Sequence, residues 1–109
     1  MSFQENVQAD GNVQQSMGDS QKKISRETVI INALGLHARS AAQIANLAAR
    51  ASAKVWLVKG GESAEATSIM DLLALECPRG TKVAIIIEDP SDQEVLNAIS
   101  QLIENGFGE

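Results

Sequence analysis

Hydrophobic residues recur along the chain with two different periods, which predict strands and helices in turn. Runs of β-branched residues predict strands, and apolar residues spaced three and four apart predict helices. The predicted strands span residues 27–33, 53–59, 62–67 and 81–89, and the predicted helices span residues 40–50, 68–75 and about 91–105. The resulting order is β-α-β-β-α-β-α.

Polar and glycine residues indicate where the last two helices begin and end. Ser68 is the predicted N-cap of the short middle helix, with Asp71 three residues later. Ser91 and Glu94 have the spacing of a capping box at the start of the last helix. Gly106 predicts the end of that helix, because glycine readily adopts the left-handed conformation that follows many helices.

The element order is compatible with two kinds of sheet. One is a single antiparallel sheet with the helices on one face, and the other is a ferredoxin-like split βαβ arrangement. The residue pattern alone leaves both open.

Residues 1–22 differ in composition from the rest of the chain. They are rich in Gln, Asn, Asp, Ser and Gly, and their apolar residues are isolated. Such a segment buries too little surface to offset the entropy lost on ordering it. We therefore expect a disordered extension over residues 1–22, with Met17 as an alternative start, and one folded domain over residues 23–109.

Charge and cysteine content exclude several classes of function. The chain of 109 residues has a net charge of −5, which argues against binding nucleic acid or anionic membranes. No stretch approaches the roughly 18 apolar residues of a membrane-spanning helix. The single cysteine, Cys77, excludes an internal disulfide and fits a reducing compartment, so we expect a cytoplasmic protein without membrane insertion.

Metal and cofactor chemistry is not expected. The one histidine, His37, lies 40 residues from Cys77, so no ligand cluster has the spacing of a metal site. The sequence also lacks a glycine-rich phosphate loop. Ser40 is close to His37 in sequence, but neighbouring positions at a helix start do not make a hydrolytic triad.

The stretch "GLHARSAA" places His37 and Arg39 at the start of the first helix. First-turn amides have no partners within the helix, and together with the helix dipole they form an anion site. The guanidinium of Arg39 adds a fork of donors that suits phosphate. A neutral imidazole there could accept a phosphoryl group. The alternative is a histidine that only caps the helix.

The short helix "SIMDLLAL" is apolar apart from its cap and Asp71. Ile69, Met70 and Leu73 cannot all face inwards together with the two remaining leucines, so some of them must be exposed. Exposed apolar side chains beside a reactive group favour a docking surface. The alternative is a helix buried on all sides.

With these two motifs, the chain resembles the HPr family, the histidine-containing phosphocarriers of the bacterial phosphotransferase system. The resemblance covers residue 23 to the end of the sequence and rests on "GLHARSAA" and "ATSIMDLLALECPRG", with 31 residues from His37 to Ser68. It implies an α+β open-faced sandwich: four antiparallel strands in the order 1-4-2-3, covered on one face by three helices.

The resemblance also implies a function. His37 would accept a phosphoryl group on Nδ1 from phosphorylated enzyme I, with phosphoenolpyruvate as the ultimate donor, and pass it to a histidine of an EIIA-type protein. Arg39 would stabilise the phosphate, and Ser68 would be the regulatory position of a serine kinase or phosphorylase. Such a monomeric relay turns over only with partner enzymes. Ser40, Ile69, Met70 and Leu73 are the candidate docking residues.

Ser40 departs from the family pattern, which usually has proline there. Proline is shaped for the first turn and lacks an amide, whereas serine adds an amide and a hydroxyl. We expect a slightly looser turn and intact phosphoryl transfer. Ser40 and the closing "ENGFGE" are similar to family branches for nitrogen-related and regulatory phosphotransfer, rather than to dedicated sugar-uptake carriers.

Two other classes of function are alternatives to a phosphoryl carrier. One is a regulatory docking module in which Ser68 and the apolar helix matter more than His37, although the retained histidine favours a carrier. The other is a small-molecule or RNA-binding domain of ferredoxin-like type. The acidic balance and the absence of stacking aromatics argue against RNA.

Overall fold

The computed structural model describes residues 23–109, and the predicted extension over residues 1–22, including Met17, lies outside the described residues. The four strands are β1 (Ile24–Val29), β2 (Val55–Lys59), β3 (Glu62–Glu65) and β4 (Lys82–Ile87). The three α-helices are α1 (Ala38–Ala48), α2 (Ile69–Ala74) and α3 (Gln93–Glu104). No helix in the described range is long and apolar enough to cross a membrane.

The strands form one antiparallel sheet in the order β1-β4-β2-β3. Strand β4 is central: Ile87 pairs with Ile24 of β1 on one side and with Val55 of β2 on the other. Strands β2 and β3 form a hairpin that closes with the pair Lys59 and Glu62. This order confirms the open-faced sandwich implied by the family resemblance and decides between the two sheets that the pattern had left open.

One aliphatic core lies between the sheet and the helices. Alternate residues of the strands point towards the helices, because side chains alternate between the two faces of a strand. Burying each large aliphatic side chain contributes about 1.5–3 kcal/mol relative to leaving it exposed. The core side chains exposed by 3% or less include Ile44, Val55, Leu57, Leu72, Val83, Ile85, Ile87, Leu96, Ile99 and Ile103.

The first strand begins and ends earlier than predicted, and the first helix begins two residues earlier. The backbone of Ile30 still bonds to Thr81 and Gly80 at the end of the sheet, at 2.9 and 2.7 Å. The chain then turns, because the carbonyl of Asn32 accepts the N–H of Gly35 at 3.0 Å. The β-branched run past Val29 therefore continues into a turn, and the predicted extent of 27–33 was wrong.

The two predicted helix starts have different outcomes. Ser68 caps α2 as predicted, since its hydroxyl accepts the N–H of Asp71 at 3.1 Å. The capping box on Ser91 was wrong. Asp89 accepts the N–H of Ser91 at 2.9 Å and begins a 3₁₀ turn, after which α3 starts at Gln93. The side chain of Asp89 competes for the local backbone N–H groups, and the Ser91–Glu94 spacing does not take this bond into account.

The end of α3 agrees with the sequence. Gly106 has φ +65° directly after the C-cap residue Asn105, as expected for a glycine that ends a helix. Phe107 also has a positive φ, of 60°, although its side chain is only 3% exposed. This turn reverses the chain after α3 and directs the last residues towards the start of α1.

Candidate functional site

His37 is the N-cap residue of α1. Its backbone is extended, with φ −132° and ψ −178°, and its side chain is 30% exposed. An N-cap side chain lies beside the first-turn amides, which have no partners within the helix. The structure therefore places His37 at the helix start that the sequence predicted, with no acidic residue in the first turn of α1.

The loop that carries His37 is fixed by the loop after α2. The N–H of Leu36 donates to the carbonyl of Cys77 at 2.8 Å. Gly35 has φ +68°, and a Cβ there would lie 2.6 Å from the same carbonyl oxygen and 2.8 Å from Cα of Pro78. Only glycine fits this approach, so Gly35 and Leu36 set where α1 begins.

A carboxylate lies against the imidazole. Nε2 of His37 is 2.5 Å from Oε2 of Glu109, whose side chain is 19% exposed. A carboxylate only accepts hydrogen bonds, so the ring donates from Nε2, and in the neutral imidazole the lone pair is on Nδ1. Sequence analysis missed Glu109, because it is 72 positions from His37. The two residues come together through the turn after α3, which short-range spacing does not predict.

Asn32 holds the other oxygen of Glu109. Its Nδ2 donates to Oε1 of Glu109 at 3.0 Å and to the carbonyl of Gly35 at 2.7 Å. The hydrogen bond from Asn32, followed by that from His37, lowers the pKa of Glu109, and the positive charge of Arg39 acts in the same direction. Glu109 is therefore an anion at neutral pH, with both oxygens engaged.

Ser40 lies inside the site rather than on its surface. Its side chain is 0% exposed, and its hydroxyl accepts the N–H of His37 at 2.9 Å. A fully buried side chain cannot contact a partner directly, which corrects its place among the docking residues. Arg39 next to it is exposed in the first turn of α1.

The apolar helix α2 is partly exposed, as its composition predicted. Met70 is 76% exposed and Ile69 is 38% exposed, while Leu73 is half-buried against the core. Helix α2 packs against α1. Within residues 23–109, no hydrogen bond links Ser68 to His37, so the two positions belong to neighbouring helices and not to one bonded cluster.

The loop before His37 adds a further apolar side chain that sequence analysis did not single out. Leu34 is 71% exposed, three residues before His37. Leu34 lies between the predicted strand over residues 27–33 and the predicted first helix, where no periodic pattern indicates which side chains are exposed. Exposed apolar side chains thus lie both on the approach to His37 and on α2.

Comparison with known proteins identifies the family. A sequence profile described as "PTS HPr component phosphorylation site" matches residues 24–105. The chain belongs to the HPr family. A phosphocarrier protein HPr of Cupriavidus necator is 38% identical over 86 residues, which are 79% of this chain and 97% of the relative. The family identifies the chain as a phosphocarrier of the phosphotransferase system.

Two further relatives agree in sequence and in structure. A phosphocarrier protein NPr of Shewanella violacea is 36% identical over 87 residues, covering 80% of this chain and 96% of the relative. The crystal structure of HPr-C-His from Thermoanaerobacter tengcongensis superimposes with a TM-score of 0.72 at 34% identity, covering 81% of this chain and 97% of that one.

Proposed function

We propose that His37 is the phosphoryl carrier. Its Nδ1 accepts the phosphoryl group from phosphorylated enzyme I, with phosphoenolpyruvate as the ultimate donor, and passes it to a histidine of an EIIA-type protein. The observation that carries this proposal is the part-exposed imidazole at the N-cap of α1. A phosphate on Nδ1 would lie beside first-turn amides and the exposed Arg39, which both favour an anion.

The protein acts as a relay and not as a free-standing enzyme. The donor and acceptor histidines belong to other proteins, so turnover requires both partners. We propose that it works as a monomer in the cytoplasm, in sugar uptake or in nitrogen-related phosphotransfer. The identities of 38% to an HPr and 36% to an NPr are too similar to favour either branch.

Partners dock on the exposed apolar side chains near the carrier. The docking residues on α2 are the exposed Ile69 and Met70 and the half-buried Leu73. Transient partners need only a small contact area, so a few apolar side chains on a helix that packs against α1 fit such a surface.

Phosphorylation of Ser68 is the second candidate function, in which this chain acts as a regulatory docking module. Ser68 is the cap of α2, the helix that carries the exposed apolar residues. A phosphate at a helix N-terminus is tolerated by the helix dipole. A serine kinase or phosphorylase acting at Ser68 would thus change the docking surface without unfolding the helix.

Phosphoryl transfer with purified partners tests the carrier proposal. The protein is incubated with enzyme I, labelled phosphoenolpyruvate and Mg²⁺, then with sugar-type and nitrogen-type EIIA domains in parallel. We expect an acid-labile phosphate on this chain that passes to one EIIA type faster than to the other. An acid-stable phosphate, or none, would overturn the proposal, and preference between the two EIIA types assigns the branch.

A further inference from the structure

The turn after α3 holds Glu109 in one place. Gly106, Phe107 and Gly108 have φ of 65°, 60° and 76°, so three successive residues are left-handed. That conformation is unfavourable for a residue with a Cβ, and Phe107 is held in it by a side chain packed in the core. The turn is thus anchored from inside, and the residue after it is directed back over the loop that carries His37.

Glu109 is positioned by contacts that do not involve His37. Asn32 is 6% exposed, and its Nδ2 donates both to Glu109 and to the carbonyl of Gly35. An amide oxygen facing a carboxylate would be repelled, so the donor side of Asn32 faces Glu109. The bond from Asn32 thus positions the carboxylate independently of the imidazole ring.

We infer that Glu109 is a positioning residue for phosphoryl transfer: it holds the proton of His37 on Nε2 and balances the positive charge that the ring gains when Nδ1 is phosphorylated. This inference rests on the proposed function of His37 as the carrier. It assigns to Glu109 a role that neither the family profile, which ends at residue 105, nor the two sequence motifs include.

The chemistry of the step explains why a carboxylate is useful there. The lone pair of Nδ1 attacks phosphorus, a bond from Nδ1 to phosphorus forms, and the bond from phosphorus to the donor nitrogen breaks. The electron pair of that bond returns to the donor imidazole. The ring of His37 keeps its Nε2 proton and becomes a cation, and Glu109 is its counter-ion.

Onward transfer reverses the same steps. When the acceptor nitrogen attacks, the bond between Nδ1 and phosphorus breaks and the pair returns to Nδ1. The proton is still bonded to Nε2, where it donates a hydrogen bond to Glu109. The leaving group is therefore a neutral imidazole rather than an imidazolate. Glu109 thus supports both directions of transfer without binding the phosphate itself.

Nitrogen-15 NMR of the unphosphorylated protein tests the proton-holding half of this inference. In the parent protein we expect the proton on Nε2, with an Nε2–H signal protected from exchange with water. Glu109→Gln leaves one carbonyl oxygen for two donors, so the signal should be lost to exchange, and Glu109→Asp should retain it. Glu104→Gln removes an exposed carboxylate from the end of α3 and serves as the matched control. An unchanged Nε2–H signal in Glu109→Gln would overturn the assignment.

Transfer rates test the charge-balancing half. Loss of one charge-assisted hydrogen bond should slow phosphorylation of His37 by about tenfold in Glu109→Gln. Glu109→Asp should recover most of the rate, and Glu104→Gln should match the parent. Parent-like rates in Glu109→Gln would overturn this half. A parent protein that acquires no labelled phosphate would instead overturn the proposed carrier function. The NMR result would still decide whether Glu109 keeps the ring proton on Nε2.

Discussion

The hydroxyl of Ser40 accepts the backbone N–H of His37 at 2.9 Å, while the Ser40 side chain is completely buried. The family pattern implied by the resemblance has proline at this position, whose ring would stiffen the first turn. Here the side-chain hydroxyl accepts a hydrogen bond that ties the turn to His37, the proposed carrier. Serine thus replaces a covalent constraint with a local bond, which offsets part of the loosening expected from the sequence.

Ser40→Ala should therefore destabilise the domain by about 1 kcal/mol, because the N–H of His37 loses its acceptor. Denaturant unfolding measures the change. Ser63→Ala, at an exposed serine of β3, is the matched control and should be close to neutral. If both variants unfold like the parent, the bond between Ser40 and His37 contributes nothing to stability.

His37→Ala should abolish acid-labile labelling by enzyme I and leave the fold intact. The side chain is part-exposed, and Glu109 keeps its bond to Asn32, so stability should change by no more than about 1 kcal/mol. Labelling and denaturant unfolding on the same preparation separate the two effects. Undiminished labelling would place the phosphate on another residue.

Arg39→Lys keeps the positive charge but loses the planar fork of donors. Transfer to and from His37 should be slower, with phosphorylation still complete at long times. Arg39→Ala should be slower again. Arg50→Lys, at an exposed arginine just beyond α1, provides the control for a general charge effect. Parent rates for Arg39→Ala in both directions would remove Arg39 from the site.

The sequence predicted the local arrangement of the candidate site. His37 and Arg39 share one helix start, and Ser68 begins another, so short-range spacing was enough to find them. Exposure of Ile69 and Met70 followed from the number of apolar residues in a helix too short to bury them all. The order of the sheet needed the family resemblance, because hydrophobic period does not encode which strands are neighbours.

Long-range contacts account for what the sequence did not predict. The hydrogen-bond partner of His37 is Glu109. Glu109 lies near His37 because the chain turns at Phe107, which has a left-handed backbone and a side chain packed in the core. Ser40 was named a docking residue because it lies next to Arg39 in the motif, whereas its side chain is buried and bonds within the turn. The cap of the last helix was misassigned because Asp89 forms a shorter-range bond than the capping box predicted from Ser91.

The bonds to Glu109 should make stability depend on pH. Donation by Asn32 and His37 lowers the pKa of Glu109 below its ordinary value of 4.5. Because this pKa is lower in the folded state, the ionised carboxylate stabilises the folded state above pH 4.5. That contribution is lost as the pH falls through the pKa of Glu109 in the folded state. The difference in unfolding free energy between the parent and Glu109→Gln should therefore be present at neutral pH and shrink in acid. A difference that does not vary with pH would mean that the carboxylate charge is not involved.

Ser68→Asp tests regulation at the second helix start. Aspartate is also a good N-cap, so it should preserve the bond to the amide of Asp71 and leave the melting temperature near that of the parent. Ser68→Ala lacks an acceptor and should cost about 1 kcal/mol. The two variants thus separate the loss of the cap from the addition of charge.

Charge at Ser68 should act on the partner and not on the fold. The new carboxylate begins the helix that exposes Ile69 and Met70, where the family resemblance implies that enzyme I docks with acidic groups. Like charges at such an interface slow association, and screening by salt weakens the effect. We expect Ser68→Asp to slow phosphorylation of His37 sharply at low salt and less at high salt.

Ser63→Asp, which adds the same charge at an exposed site on β3, should keep the parent rate. Because phosphoserine carries a charge of about −1.5 to −2, its effect should exceed that of aspartate. Equal rates for Ser68→Asp and the parent at low salt would restrict Ser68 to capping α2.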